Sequence, residues 1–185
     1  MQNDPAERAI LGERPVGGLD LAQGVSGSNG DVQCAGGGEV AGKRMDKILD
    51  QYYSNTHLDA VLTPNDGIAR GVLKSLKAHG YGTASKPIPF MSGQDADVDS
   101  VRNIIKGTQT ASIYKDSREL AKVAVQMANA ILTGGQPVVN DTTSYNNGVE
   151  VIPTYLLPPL EITKGNYSTL LVDGGYYTAA QLAVK

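Results

Sequence analysis

Leu58-Asp59-Ala60-Val61-Leu62-Thr63-Pro64-Asn65-Asp66-Gly67 decides how this chain is read. An apolar run stops at polar residues, and Ile68, Val72, Leu73 and Leu76 then recur at helical spacing. The pattern repeats twice. Pro89-Phe90-Met91-Ser92-Gly93-Gln94-Asp95 is followed by Val98, Val101, Ile104 and Ile105. Thr110-Ala111-Ser112-Ile113-Tyr114-Lys115-Asp116 is followed by Leu120, Val123, Ala124, Met127 and Ile131, a stripe that predicts a helix with one buried face. Alternating strands and helices predict an α/β fold, a parallel sheet with flanking helices and right-handed crossovers. Ligands of such sheets bind in the crevice at the carboxyl ends of the strands. Asn65, Asp95 and Lys115 are therefore the candidate ligand-binding residues, with Asp66 and Gln94 as secondary candidates.

The three side chains suit a small polyhydroxylated molecule. A carboxylate such as Asp95 accepts from two adjacent hydroxyls, Asn65 donates and accepts, and Lys115 only donates. Charged partners strengthen these bonds, and opposite charges offset part of one another's desolvation. The plainer alternative is that Asp66-Gly67 is a strand-to-helix turn and Asp116 a helix cap. Asp116 with Glu119 fits a capping box in which a carboxylate replaces the hydroxyl.

Composition narrows the classes further. The 185 residues suffice for one well-buried domain, and 41% hydrophobic with 19% charged residues is ordinary for a globular protein. A formal net charge of −3 argues against a nucleic-acid surface. No run of ~18 apolar residues predicts a membrane span, and Met1 to Leu11 lacks the apolar core of a secretory signal. Cys34 stands alone, so neither an internal disulfide nor a cysteine metal site is expected. No paired acid and base, nucleophile pattern, metal cluster or GxGxxG after a strand is present, so neither enzymatic activity nor a cofactor is expected. His79, in a basic last turn before Gly80, reads as a helix C-terminal partner, and His57 as a solvated turn residue.

Residues 1–42 read as a separate, Gly-rich and irregular segment, with Gly36-Gly37-Gly38 followed by no G-K-[ST]. Regular structure is expected from about Lys43, where Met45, Ile48, Leu49 and Tyr52 form a helical face. After Gly134-Gly135 the chain turns polar, and Pro153, Pro158 and Pro159 suit an edge or crossover between residues 149 and 162. A short helix over Tyr167 to Val172 and another at the C-terminus close the chain.

From Met45 onward the sequence resembles the C-terminal lobe of periplasmic sugar-binding proteins of ABC importers, of the xylose-binding and multiple-monosaccharide-binding type. The resemblance is carried by Leu58 to Gly67, Tyr81-Gly82-Thr83, Ser92-Gly93-Gln94-Asp95-Ala96, Tyr114 to Lys122, Val139 to Thr142 and Leu171 to Tyr177. It implies one lobe of a type I periplasmic binding protein fold, without the N-terminal lobe, with residues 149–162 as the crossover toward that lobe. Residues 1–42 do not resemble the strand-helix-strand that should open the lobe. The resemblance also implies a non-enzymatic receptor that binds an aldose such as xylose, glucose, galactose or arabinose through Asn65, Asp95 and Lys115. The parent protein would lie in the periplasm and deliver the sugar to a membrane permease. The alternative is the effector-binding core of a sugar-responsive transcription regulator, which needs a basic helix-turn-helix that residues 1–42 do not supply. If a second lobe is absent, Tyr155, Leu156, Leu157, Leu170 and Leu171 lose packing surface, and self-association follows from the exposed patch.

Overall fold

The computed structural model describes the backbone of Leu21–Gln23 and residues 37–184. The elements in order are β1 (Leu21–Gln23), α1 (Gly37–Tyr52), β2 (Ala60–Leu62), α2 (Asp66–Ala78), β3 (Phe90–Met91), α3 (Val98–Lys106), β4 (Ala111–Tyr114), α4 (Ser117–Leu132), β5 (Leu160–Thr163), a π-helical turn (Ser168–Asp173) and α5 (Ala179–Leu182). They form two compact units, 1–113 with 161–185, and 114–160.

In the first unit β1, β2 and β3 lie side by side in parallel register, Ala22 opposite Val61 and Val61 opposite Met91. Beyond β3 the sheet continues through a parallel bridge between Gln94 and Ile113 of β4, and β4 pairs with β5. Val61 and Met91 share one sheet face with the stripe of α2 (Ile68, Val72, Leu73, Leu76) and with Met45 and Leu49 of α1; all are buried. Burial of each such side chain contributes about 1.5–3 kcal/mol, which explains why apolar spacing located these elements.

The helix α1 begins at Gly37, inside the stretch read as irregular, and β1 with α1 and β2 supplies the strand-helix-strand held to be missing. Glycine is a poor helix former, so composition argued against a helix there. Packing overrides it. Gly38 and Gly42 of α1 face Gly67 and Gly71 of α2 so closely that a Cβ at Gly71 would sit 1.8 Å from the Gly38 carbonyl oxygen. Only glycine permits two backbones to approach in this way.

The C-terminal pieces belong to the same unit. Ile162, Leu171 and Leu182 are buried, and α5 lies against α3. Burial of Leu171 corrects the expectation that it loses its packing surface; Tyr155, Leu156, Leu157 and Leu170 are half-buried. A capping box does occur, but at α5: the Thr178 hydroxyl accepts from Gln181 N (3.2 Å) and Gln181 Oε1 accepts from Thr178 N (2.8 Å).

The second unit holds α4 and the extended chain after it. Asp116 caps α4 by accepting from Arg118 N (2.9 Å), not from Glu119, so the expected box is not closed. The Arg118 guanidinium also grips the Asp116 carboxylate (2.7 Å to Oδ2), which with the other hydrogen bonds to that group lowers its pKa well below the usual range. The predicted buried stripe is corrected: no residue of α4 is buried, Val125 is 68% exposed and Leu132 85%. An apolar stripe signals a surface that can be covered; it does not supply the cover. The chain then folds back antiparallel, with Asp141 bridged to Thr154 and Asn146 to Val151. The Asn140 carboxamide brackets Leu156, accepting from its N–H (2.7 Å) and donating to its carbonyl (2.9 Å).

Candidate functional site

Asn65 follows β2 directly and caps α2, its Oδ1 accepting from Ile68 N at 2.9 Å. Polar side chains at this position satisfy one of the orphan N–H groups of the first turn. The cap fixes the rotamer of a half-buried residue and leaves its two carboxamide N–H donors without a hydrogen bond among the described residues.

The loop after β3 is more unusual. Asp95 is exposed and has φ +100°, and Ala96 follows at φ +51°. Two consecutive non-glycine residues in this region are strained and persist only where their surroundings hold them. Here almost every neighbouring backbone group is held. Gly93 O accepts from Ile113 N (3.0 Å), Gln94 O from Asp66 N (2.9 Å), and Asp95 N donates to Ile113 O (2.8 Å). Ala96 N donates to Ser112 Oγ (3.0 Å), Asp97 N to Asp66 Oδ2 (2.9 Å), and Ala96 O accepts from the Tyr177 hydroxyl (3.0 Å). The bond between Asp66 N and Gln94 O sets the β2 and β3 ends side by side, so Asn65 and Asp95 occupy adjoining strand ends.

The secondary candidates have other positions. Gln94 is half-buried and serves through its backbone. Asp66 is fully buried, and its carboxylate accepts from Ser112 Oγ (2.8 Å), Gln109 Nε2 (3.1 Å) and Asp97 N, so its oxygens face the protein. Burial raises its pKa, and the three hydrogen bonds oppose that shift. Lys115 is exposed immediately after β4, as its sequence position predicts, and is part of the second unit.

Ser112, Gln109 and Tyr177 escaped the sequence reading. Ser112 lies within an apolar strand and Gln109 beside its start, and a polar residue at a strand end signals a ligand or a buried network equally well. Asp97 was also passed over. Its Oδ1 caps α3 by accepting from Ser100 N (2.9 Å), and its Oδ2 pairs with the Arg70 guanidinium. His79 is a C-terminal cap as expected. Its ring meets Ser75 O (2.9 Å) and Asp50 Oδ1 (3.1 Å), and its pKa is raised, chiefly by the Ser75 carbonyl.

The periplasmic binding protein domain matches residues 20–136. The chain belongs to that family. The matched range begins before β1, so the family's domain includes part of the segment read as foreign to it. Among curated relatives, the multiple sugar-binding periplasmic receptor ChvE of Rhizobium radiobacter is 51% identical over 143 residues, 77% of this chain and 40% of the relative. The multiple sugar-binding periplasmic protein SbpA of Azospirillum brasilense is 49% identical over 144 residues, 78% of this chain and 40% of the relative. A solved ABC transporter solute-binding protein from Clostridium phytofermentans, with β-D-glucose bound, superposes with a TM-score of 0.72 at 45% identity. That match covers 79% of this periplasmic binding protein chain and 44% of the other. The chain thus spans about 40% of the length of the curated relatives it matches.

Proposed function

We propose that this chain is part of the substrate-binding component of a monosaccharide ABC importer, the C-terminal lobe of a two-lobed receptor. Its ligand is an aldose such as glucose, galactose, xylose or arabinose, held from this side by Asn65, Asp95 and Lys115. The observation that carries the reading is the loop after β3. A carboxylate is displayed from a strained backbone beside the capped Asn65, a costly arrangement for a chain that needs only a turn. Relatives described as multiple sugar-binding receptors and a neighbour holding glucose supply the ligand class. Asp95 accepts from vicinal hydroxyls, the Asn65 amide N–H groups donate to a ring or hydroxyl oxygen, and Lys115 donates from the end of β4. The protein acts by binding and release, not by turnover. The complete receptor is periplasmic and hands the sugar to a membrane permease.

The second unit, with residues 149–160 of the expected 149–162 crossover, makes its packing contacts with chain that the longer relatives have in addition. Alone, its apolar surface favours self-association. The test is a titration of monosaccharides against the chain with thermal stabilisation as the readout. Weak binding, with a dissociation constant above about 1 µM, is expected because closure between two lobes is lacking. Asp95→Ala should weaken it by about 10- to 150-fold, or about 1.5–3 kcal/mol. An unchanged constant in calorimetry removes Asp95 from the site.

A further inference from the structure

We propose that Asp66 is a positioning residue, which from beneath the β3 loop holds Asp95 and Ala96 in the left-handed conformation that presents the Asp95 carboxylate. The inference rests on Asp95 as a sugar contact and deepens that reading by naming what aims it.

Asp66 reaches the loop by three routes. Its N–H holds Gln94 O before the strained pair (2.9 Å), and its Oδ2 holds Asp97 N after it (2.9 Å). Its Oδ1 accepts from Ser112 Oγ, whose own oxygen accepts from Ala96 N in the middle of the pair. The strained residues are thus clamped at both ends and at the centre by one buried residue, through its N–H, its carboxylate and the Ser112 relay. Every partner of the carboxylate is a donor, Gln109 Nε2 being the last. Both terminal atoms must therefore accept: a carboxamide of the same shape has one oxygen and would turn an N–H2 toward donors. Gly93 completes the arrangement, since a Cβ there would lie 2.1 Å from Asp66 Oδ1 and 2.5 Å from Gln109 Nε2. Glycine at 93 lets the carboxylate pass under the strand end. If the clamp is released, φ at Asp95 relaxes toward negative values and the Cα–Cβ direction turns away from its present course.

The experiment uses the 185-residue chain with Ser112→Ala and Asp66→Asn, each also combined with Asp95→Ala. D-glucose affinity is measured by saturation-transfer NMR, and amide hydrogen exchange at Ala96 and Asp97 is followed in parallel. Ser112→Ala, which cuts the relay and leaves the carboxylate, keeps the test decisive if Asp66→Asn fails to fold. The expected result is faster exchange at Ala96 and a dissociation constant raised about tenfold by Ser112→Ala with Asp95 present. In the Asp95→Ala background the same substitution should change the constant less than about twofold, because nothing remains to be aimed. Equal losses in both backgrounds, or faster exchange with unchanged affinity, overturn the positioning role and leave Asp95 as a contact. No loss from Asp95→Ala, or no transfer to D-glucose from the unsubstituted chain, overturns the sugar reading and this inference with it.

Discussion

The two units of this chain have similar sequence texture and opposite fates. Both carry helices with apolar stripes, α2 in the first and α4 in the second. Every residue of the α2 stripe is buried against β2, β3 and α1, while none of the α4 stripe is. Apart from Tyr114, the buried apolar side chains all belong to the first unit. Periodicity measures what a segment is prepared to bury, and burial itself depends on which chain is present to complete the layer.

The sharpest way to break this contrast is at the α1–α2 contact. Gly71→Ala drives a methyl into the Gly38 carbonyl, so the helices must separate and stability should fall by more than about 3 kcal/mol in urea unfolding. A loss below about 1 kcal/mol would show that the two backbones are not in contact. A pair of leucine truncations comes next. Leu76→Ala, at a site with 0% exposure, should cost about 2–5 kcal/mol. Leu132→Ala, at 85% exposure, should stay within about 0.5 kcal/mol. Equal losses would mean that the second unit has a core of its own after all.

Acid separates the units by sign. Asp116 has a lowered folded pKa, chiefly through the Arg118 side chain, so its stabilisation of the α4 start is present above about pH 4 and drains away as pH falls through the folded value. Asp66 has a raised folded pKa because it is buried, so its contribution is full below about pH 4 and declines as pH rises through the folded value. Amide exchange below about pH 4 should therefore rise first at Arg118, ahead of Asp97. Simultaneous loss would contradict the assignment. The smallest effect expected is at His79. Its raised pKa stabilises the fold fully below about pH 6.5, and that share is lost as pH climbs through the folded value. Because Asp50 is well exposed, His79→Gln should flatten this dependence by less than about 1 kcal/mol, read as the difference in unfolding midpoint between about pH 6 and pH 8.

How much of this was legible in the sequence follows the same divide. The β2, β3 and β4 strands and the helices after β2 and β3 could be read because their apolar residues meet partners within the chain. The Asn65 and Asp95 placements followed from strand ends alone. Helix α1 could not be read at Gly37, because its glycines serve an approach between helices that only the partner glycines of α2 explain. The exposure of Val125 and Leu132 was equally hidden, since a stripe looks the same whether or not its cover exists. Asp66 was noticed for the wrong reason. Next to Asn65 it looks like a second hand for the ligand, and only Ser112, Gln109 and Asp97 N, remote in sequence, show that it points inward.

The hydrogen bond from Tyr177 to the Ala96 carbonyl has a practical consequence. The chain has no tryptophan and nine tyrosines, so its near-ultraviolet emission is tyrosine emission. One of those phenols is tethered to the loop that displays Asp95, with Tyr176 edge-on beside it at 4.9 Å between ring centres. A shift of that loop alters the surroundings of a native fluorophore, so the chain carries an optical gauge of the Asp95 loop without an added label.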